Sequence, residues 1–300
     1  MVPLLLVALA GFGAQMVDGS LGMGYGLTSA TLLVAIGLTP VMASASVHFA
    51  QVGTAFVSGF SHGKLGNVDK TVLRRIAIPG GIGAFVGAML LSTVSTALAR
   101  PVMNTILLVL GFYVLFRYLR HRVVTLRKGR PGKRFLSPLG LIGGFIDATG
   151  GGGWGPVTTP ALMTTGRMAP HRVIGTVAAA EFIVAVSASI GFLVGLGLAA
   201  VDLTVLLPLL IGGALAAPLA AWVARRLPMR VMGVAVGGMI IVTNAFSLMR
   251  TFDIAGSVMG AVLGVLAVIW ISLVAVVTVQ HFAARRLEQE ASGLKQPTSV

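Results

Sequence analysis

The chain has 300 residues, of which 56% are of the AVILMFWYC set and only 10% are charged, and its mean hydropathy is +0.96. A soluble domain carries about 25% charged residues, so the composition excludes a pair of ordinary water-soluble domains and requires a polytopic helical membrane protein. The absence of Cys excludes disulfide frameworks, zinc-thiolate sites, iron–sulfur clusters and cysteine nucleophiles.

The formal net charge of +14 (22 Lys+Arg against 8 Asp+Glu) does not indicate a nucleic-acid partner. The basic residues fall in short runs between apolar segments, chiefly Arg117, Arg120, Arg122, Arg127, Lys128, Arg130, Lys133 and Arg134. The positive-inside rule expects such runs in cytoplasmic loops.

In chain order, Leu4–Val17 is a short apolar segment. It lacks a basic flank and a small-residue cleavage site, so it is expected to be retained rather than removed as a signal peptide. The run Asp18-Gly19-Ser20-Leu21-Gly22-Met23-Gly24-Tyr25-Gly26 separates it from a second short segment, Leu27–Leu38. Three stretches then come close to or exceed the ~20 residues a membrane span needs: Pro40–Phe60, Val72–Leu91 and Leu98–Leu119. After the basic stretch the pattern recurs. Leu136–Ile146 and Val157–Met163 flank Asp147-Ala148-Thr149-Gly150-Gly151-Gly152-Gly153-Trp154-Gly155-Pro156, and Val173–Val194, Leu203–Ala224 and Val231–Leu248 follow as spans. Ile254–Phe282 is an additional span, and Glu288–Val300 is polar and expected to be irregular.

Neither half of each glycine-broken pair is expected to cross alone, so each pair is read as a hairpin that enters, breaks at depth and returns. Loop charges agree with this. Lys64, Lys70, Arg74 and Arg75 alternate with a loop near Ser95–Arg100 holding one basic residue, and the basic linker alternates with Gly195–Asp202, which has no Lys or Arg. This arrangement puts the amino terminus outside and the carboxyl terminus inside.

The chain also repeats itself. At an offset of 129, Asp18, Gly11, Gly22, Gly24 and Gly26 fall on Asp147, Gly140, Gly151, Gly153 and Gly155. At 130, Pro40, Ser46 and Gln51 fall on Pro170, Thr176 and Glu181. A re-entrant hairpin plus three crossings is an odd number, so the second copy is expected to be inverted, as in many secondary transporters. The expected organisation is a first membrane repeat over residues 1–122 and a basic cytoplasmic linker over 123–135. A second, inverted repeat follows over 136–252, then an extra helix over 253–282 and a polar cytoplasmic tail over 283–300.

Unwound backbone survives in a bilayer only where protein buries it or a wet cavity receives it. Two breaks at equivalent positions therefore point to a binding site. No Lys or Arg lies in the middle of an apolar segment, so a bound anion would meet backbone N–H groups and the positive ends of the returning half-helices. The candidate binding residues are Gly22, Gly24, Gly26, Thr28, Ser29, Thr149, Gly151, Gly153, Gly155, Thr158 and Thr159. Carbonyl groups freed by the same breaks would equally serve a cation. The only acidic residues within apolar stretches are Asp18, Asp147 and Glu181, each costly at a helix centre. Two roles stand open for the aspartates: capping the returning half-helices, or holding a proton whose presence decides whether an oxyanion is repelled. Glu181, its counterpart Gln51 and His48, three residues before Gln51, complete the coupling candidates; interhelical hydrogen bonding is the simpler role for each. No Gly-x-Ser-x-Gly elbow or His-Glu-x-x-His motif accompanies Ser44, Ser46 and His48, so catalysis, a metal and a cofactor are not expected.

The run Gly144-Phe145-Ile146-Asp147-Ala148-Thr149-Gly150-Gly151-Gly152-Gly153-Trp154-Gly155-Pro156, with Pro160, Pro170 and Gly175-Thr176-Val177 following, resembles the sulfite exporter TauE/SafE family of membrane permeases. The first copy is similar with interrupted glycines and no equivalent of Pro160. The resemblance covers about residues 4–282. It implies a plasma-membrane transporter of sulfite, an organosulfonate or a related small anion, with the lipid bilayer and that solute as its partners. A passive anion channel is the alternative.

Overall fold

A computed structural model describes residues 4–21, 24–120, 129–224 and 229–293. Residues 123–128 of the expected basic linker and 294–300 of the tail lie outside the described residues. Among the described residues the regular structure is helical, with no strand. The first copy comprises α1 (Leu4–Leu21), α2 (Tyr25–Ala35), α3 (Pro40–Lys64), α4 (Lys70–Thr93) and α5 (Thr96–Leu119). The second comprises α6 (Lys133–Gly150), α7 (Trp154–Thr164), α8 (Pro170–Leu196), α9 (Leu203–Ala224) and α10 (Met229–Thr251). An additional helix, α11, spans Gly256–Gly293.

Each of the seven expected spans falls within one helix to within two residues. Among the described residues, five helical stretches are both long and apolar enough to cross: Lys70–Thr93, Thr96–Leu119, His171–Ala200, Arg230–Thr251 and Gly256–Ala283. Helix α3 has the length, but Ser44, Ser46, His48, Gln51, Thr54 and Ser58 make it more polar than these five. The chain is thus an all-α polytopic membrane protein.

Two boundaries differ from the sequence expectation. Helix α11 runs on to Gly293, because Ala283 to Glu290 are mostly good helix formers. The breaks are also narrower than the glycine runs. Asp18 and Asp147 lie in the last turns of α1 and α6, and the second break is confined to Gly151, Gly152 and Gly153. Away from water a peptide group gains more from an intrahelical hydrogen bond than glycine loses in entropy, so the helices persist through Gly19 and Gly150. At 18 residues, α1 and α6 are about 27 Å long, longer than expected. At 11 residues, α2 and α7 reach about 16 Å, too short to cross a core of about 30 Å. Both short helices stop at equivalent left-handed glycines, Gly37 (φ 107°) and Gly166 (φ 64°).

The two copies interlock. Helix α1 lies along α9 of the other copy, and α6 lies along α4. The approach is close enough that a Cβ at Gly11 would overlap the Leu209 carbonyl, and one at Gly140 the Ile76 carbonyl. Equivalent helices run antiparallel against each other. Along α5 and α10, Asn104 donates to Ser247 at 2.7 Å, Gly111 meets Ile240 and Gly237 meets Leu115. Along α3 and α8, His48 meets Phe192, Phe56 meets Phe182 and Gly59 meets Ala179. One buried cluster gathers Ile76, Ala84, Leu136, Trp154, Val184 and Phe192, and another gathers Val7, Leu33, Val47, Leu107, Leu209 and Ile240. Helix α11 sits at the periphery, its Trp270 ring seated on Gly238. Its Val262, Val265, Val268 and Ile271 are exposed, as lipid-facing side chains would be.

Asp69 joins three segments at one end of the bundle. Its Oδ1 accepts from the Thr71 and Val72 amides at 3.0 and 3.1 Å, capping α4, while its own N–H donates to Thr176 Oγ1 at 2.9 Å. Arg130 Nε donates to its Oδ2 at 2.7 Å. Burial pushes the Asp69 carboxyl up, but the Arg130 hydrogen bond, the two amides and the Arg130 charge together hold it below its ordinary value. That contribution is present above the unfolded value of about 3.9 and is lost as pH falls through the folded value.

Two outcomes follow for thermal unfolding of detergent-solubilised protein. Gly140→Val should cost about 1–3 kcal/mol from overpacking, whereas Gly264→Ala, where a Cβ meets nothing, should leave the midpoint unchanged or higher. Asp69→Ala should cost about 0.5–2 kcal/mol at neutral pH, and the gap from wild type should narrow as the medium is acidified below the folded value of Asp69. A constant gap would show that the charge on Asp69 does not matter.

Candidate functional site

The two breaks meet backbone to backbone. A Cβ at Gly152 would overlap Gly26 and the Leu27 amide, and one at Gly26 would lie 3.1 Å from both Gln51 Nε2 and Gly151 O. Around this crossing the two aspartates play matching local roles. Asp147 Oδ1 accepts from the Gly153 and Trp154 amides at 2.7 and 2.9 Å. The Tyr25 amide, equivalent to that of Trp154, donates to Asp18. Each carboxylate therefore caps the returning half-helix of its own copy.

Their remaining surroundings differ. Asp147 is sealed against His48, whose Nε2 lies 3.1 Å from its Oδ2, with both residues essentially inaccessible. His48 Nδ1 is 2.7 Å from the Ser44 carbonyl oxygen. A carbonyl only accepts, so in this contact Nδ1 carries the hydrogen. Ser44, His48 and Asp147 stand in the order of a hydrolase triad, but their hydrogens run the other way. Ser44 Oγ donates to the Ala148 carbonyl at 2.6 Å, and Nδ1 has no lone pair to accept its proton.

Asp18 faces open space instead. A cavity of about 770 Å³ lies between α1, α3, α8 and α9, lined by Asp18, Gln15, Tyr25, Gln51, Thr54, Ser58, His62, Ala178 and Glu181 among others. Gln51 Nε2 donates to Glu181 Oε1 at 3.0 Å. These two residues are repeat equivalents, so their contact marks the junction of the copies. Mapping the lining onto the other copy explains why the space is on this side. Tyr25, Thr54, Ser58, His62 and Ala178 correspond to Trp154, Val184, Ala188, Phe192 and His48. All five counterparts are buried, and Trp154 fills the gap beside Gly80 and Gly143 while its Nε1 donates to the Val177 carbonyl at 3.1 Å. Helix α4 lies along α8, whereas the equivalent pair, α9 and α3, touches sparsely.

Of the sequence candidates, Asp18, Gln51 and Glu181 share the cavity, while His48 and Asp147 form the sealed pair. The remaining candidates lie elsewhere. Gly24 starts α2 at φ 107°, Gly26 and Gly151 are consumed by the crossing, and Gly153 is consumed by the cap. Gly155 is buried in α7. The hydroxyls of Ser29, Thr149 and Thr158 donate to carbonyls one turn back in their own helices, leaving those donors engaged. Thr159 is buried, and the Thr28 hydroxyl is buried without a protein partner. Gly22 lies outside the described residues. Sequence reasoning passed over Gln15, Tyr25, Thr54, Ser58 and His62. A usable signal was present in the spacing of 3, 4 and 4 that puts Gln51, Thr54, Ser58 and His62 on one face of α3. A smaller hollow of about 360 Å³, between the ends of α2 and α10 and the start of α5, is bordered by Arg100 and Arg250.

Crossed broken helices with buried carboxylates and a cavity beside them belong here to a polytopic membrane protein, and its relatives make it a membrane transporter. A family model described as sulfite exporter TauE/SafE matches residues 7–247, and the chain belongs to that family. It is 47% identical over 276 residues to the probable membrane transporter protein YtnM of Bacillus subtilis (strain 168), an alignment covering 91% of this chain and 92% of the relative. No solved structure matches the chain.

The unequal settings of the aspartates give a stability test. Asp147→Ala leaves His48 buried without its partner and should cost about 3–5 kcal/mol. Asp18→Ala removes a cap beside a cavity and should cost about 0.5–2 kcal/mol. Equal drops in the thermal midpoint would contradict the distinction.

Proposed function

We propose that this chain is a secondary transporter of a small sulfur-containing anion, such as sulfite or an organosulfonate, in the cell inner membrane, driven by the proton gradient. The observation that carries the reading is the cavity at the junction of the two copies, where Asp18, Glu181 and Gln51 converge. A carboxylate there repels an oxyanion when charged and ceases to do so when it holds a proton, which links the occupancies of the two species. The short α2 and α7 support the re-entrant hairpins, and the antiparallel pairing of α3 with α8 and of α5 with α10 supports inverted repeats. The distribution of basic loops supports an outer amino terminus and a cytoplasmic carboxyl terminus. Arg100 and Arg250, bordering the smaller hollow, supply cationic groups that would attract an anion at the opposite end of α3. A metal, a cofactor or a catalytic step has no part in this reading.

Proteoliposomes test it. Uptake of labelled sulfite and of propane-1-sulfonate should rise with an imposed pH gradient and reach accumulation against the solute gradient, which a passive channel cannot produce. Asp18→Asn and Glu181→Gln should each cut the gradient-driven component by about tenfold or more, the equivalent of 1.4 kcal/mol. Retention of wild-type pH dependence in both variants would remove the coupling role.

A further inference from the structure

We propose that the cavity accepts solutes bearing a primary ammonium group as well as an anionic end, so that aminosulfonate zwitterions bind more tightly than simple sulfonates of the same length. The inference rests on the reading of this cavity as the transport site and deepens it.

The argument begins with what the lining offers. Among the described residues, Asp18 and Glu181 both border the cavity, and no Lys or Arg does. His62 is the one basic side chain among the described residues of the lining. Two further groups in the lining are left over by the protein's own hydrogen bonding. Gln51 is 2% exposed, and its amide nitrogen is spent on Glu181, which leaves Oε1 buried without a donor. Tyr25 is 4% exposed, and its hydroxyl is likewise buried without a partner although it borders the same space. Buried polar atoms are ordinarily paired, and a carbonyl oxygen can be paired only by a donor. Two carboxylates and an orphan amide oxygen therefore make an acceptor-rich end, whose complement is a compact group with several N–H donors and a positive charge. A primary ammonium has three such donors.

A bare oxyanion fits this end poorly, since it brings acceptors to acceptors. The anionic part of a zwitterion has a separate place along the α3 stripe, where Thr54, Ser58 and His62 succeed Gln51 at helical spacing. At about 770 Å³ the cavity lies in the range of small-molecule sites, roughly 300–1,000 Å³, with room for both ends of a short molecule. The asymmetry of the copies fits as well. Where Asp147 meets the ring of His48, Asp18 has Ala178 in the equivalent position, so one of the two carboxylates is left accessible to an external cation.

Three probes of equal length separate the ends: 3-aminopropane-1-sulfonate, propane-1-sulfonate and propylamine. Binding to purified full-length protein is read by titrated thermal shift, because a ligand specific to the folded state raises the midpoint with its concentration. The aminosulfonate should bind about tenfold or more tightly than either truncated probe, a difference of 1.4 kcal/mol or more. Glu181→Gln and Asp18→Asn should erase that preference by weakening aminosulfonate binding about tenfold or more. Tyr25→Phe, which removes one oxygen only, serves where either carboxylate variant does not fold, and should weaken aminosulfonate binding alone. The proposal is overturned if propane-1-sulfonate binds as well as the aminosulfonate, if the preference survives in the folded variants, or if the aminosulfonate produces no shift. Parallel flux of sulfite and propane-1-sulfonate in proteoliposomes keeps the two readings apart. Gradient-driven flux of these anions without an aminosulfonate preference would sink the zwitterion and leave the anion transporter standing, whereas loss of both would sink both.

Discussion

The constraint on which the rest of the structure depends is the backbone-to-backbone crossing of Gly26 and Gly152. No side chain fits there, since a Cβ on Gly152 would occupy the position of the Leu27 amide. The crossing brings the starts of α2 and α7 together in the interior, where neither helix has a preceding turn to satisfy its first amides. Water would satisfy them at a surface, but here a carboxylate must. Asp147 does so for Gly153 and Trp154, and Asp18 does so for Tyr25. The acidic residues thus follow from the breaks, and the breaks from the crossing. Capping and coupling, which compete as explanations at the level of residue type, are compatible at Asp18, because a carboxylate has two oxygens and only part of its capacity is used by the cap.

A repeated scaffold does not imply a repeated site. Five substitutions between equivalent positions convert a filled half into a hollow one. Trp154, Val184, Ala188, Phe192 and His48 occupy one side, and Tyr25, Thr54, Ser58, His62 and Ala178 line the other. The filled half is closed by dispersion and ring packing, including the tilted His48–Phe192 contact at 5.9 Å. The hollow half exchanges apolar volume for hydroxyls and an imidazole, which lowers the gain from closing it and leaves groups that a solute can engage.

These features were unequally legible in the sequence. The helical membrane class, the duplicated breaks and the placement of Asp18 and Asp147 beside them could be read because each rests on local composition or on a fixed offset. The extent of the breaks could not, because glycine has low intrinsic helix propensity and nothing local shows that the surrounding protein excludes water and carries α6 through Gly150. The cavity was harder still. It depends on whether Ala178 or a larger residue faces Asp18, a contact between helices in different copies that no periodicity reveals. His62 lies beyond the apolar run, which ends at Phe60 in the sequence, yet α3 continues to Lys64 and carries His62 into the lining. The hydroxyls near the breaks misled for a related reason. Ser29, Thr149 and Thr158 are rich in donors on paper, but a hydroxyl inside a helix finds the carbonyl one turn back before it finds a solute.

The asymmetry also bears on how the cavity can exchange between two sides. In an ideal inverted pair, each copy takes up the other's conformation and the opening moves across the midplane. Here such an exchange would draw Trp154 away from Gly80 and Gly143, separate His48 from Asp147 and part α4 from α8, exposing Val184, Ala188 and Phe192. Closing α3 onto α9 at the same time would bury Thr54, Ser58 and His62 against Leu210 and Gly213, with polar atoms seeking partners. Both changes cost free energy unless something occupies the polar side. A solute that satisfies Tyr25, Gln51 and the two carboxylates offsets the second cost, and a proton on a carboxylate reduces it in another way. Under the proposed function, the unequal filling of the two halves would tie closure of the cavity to its occupancy.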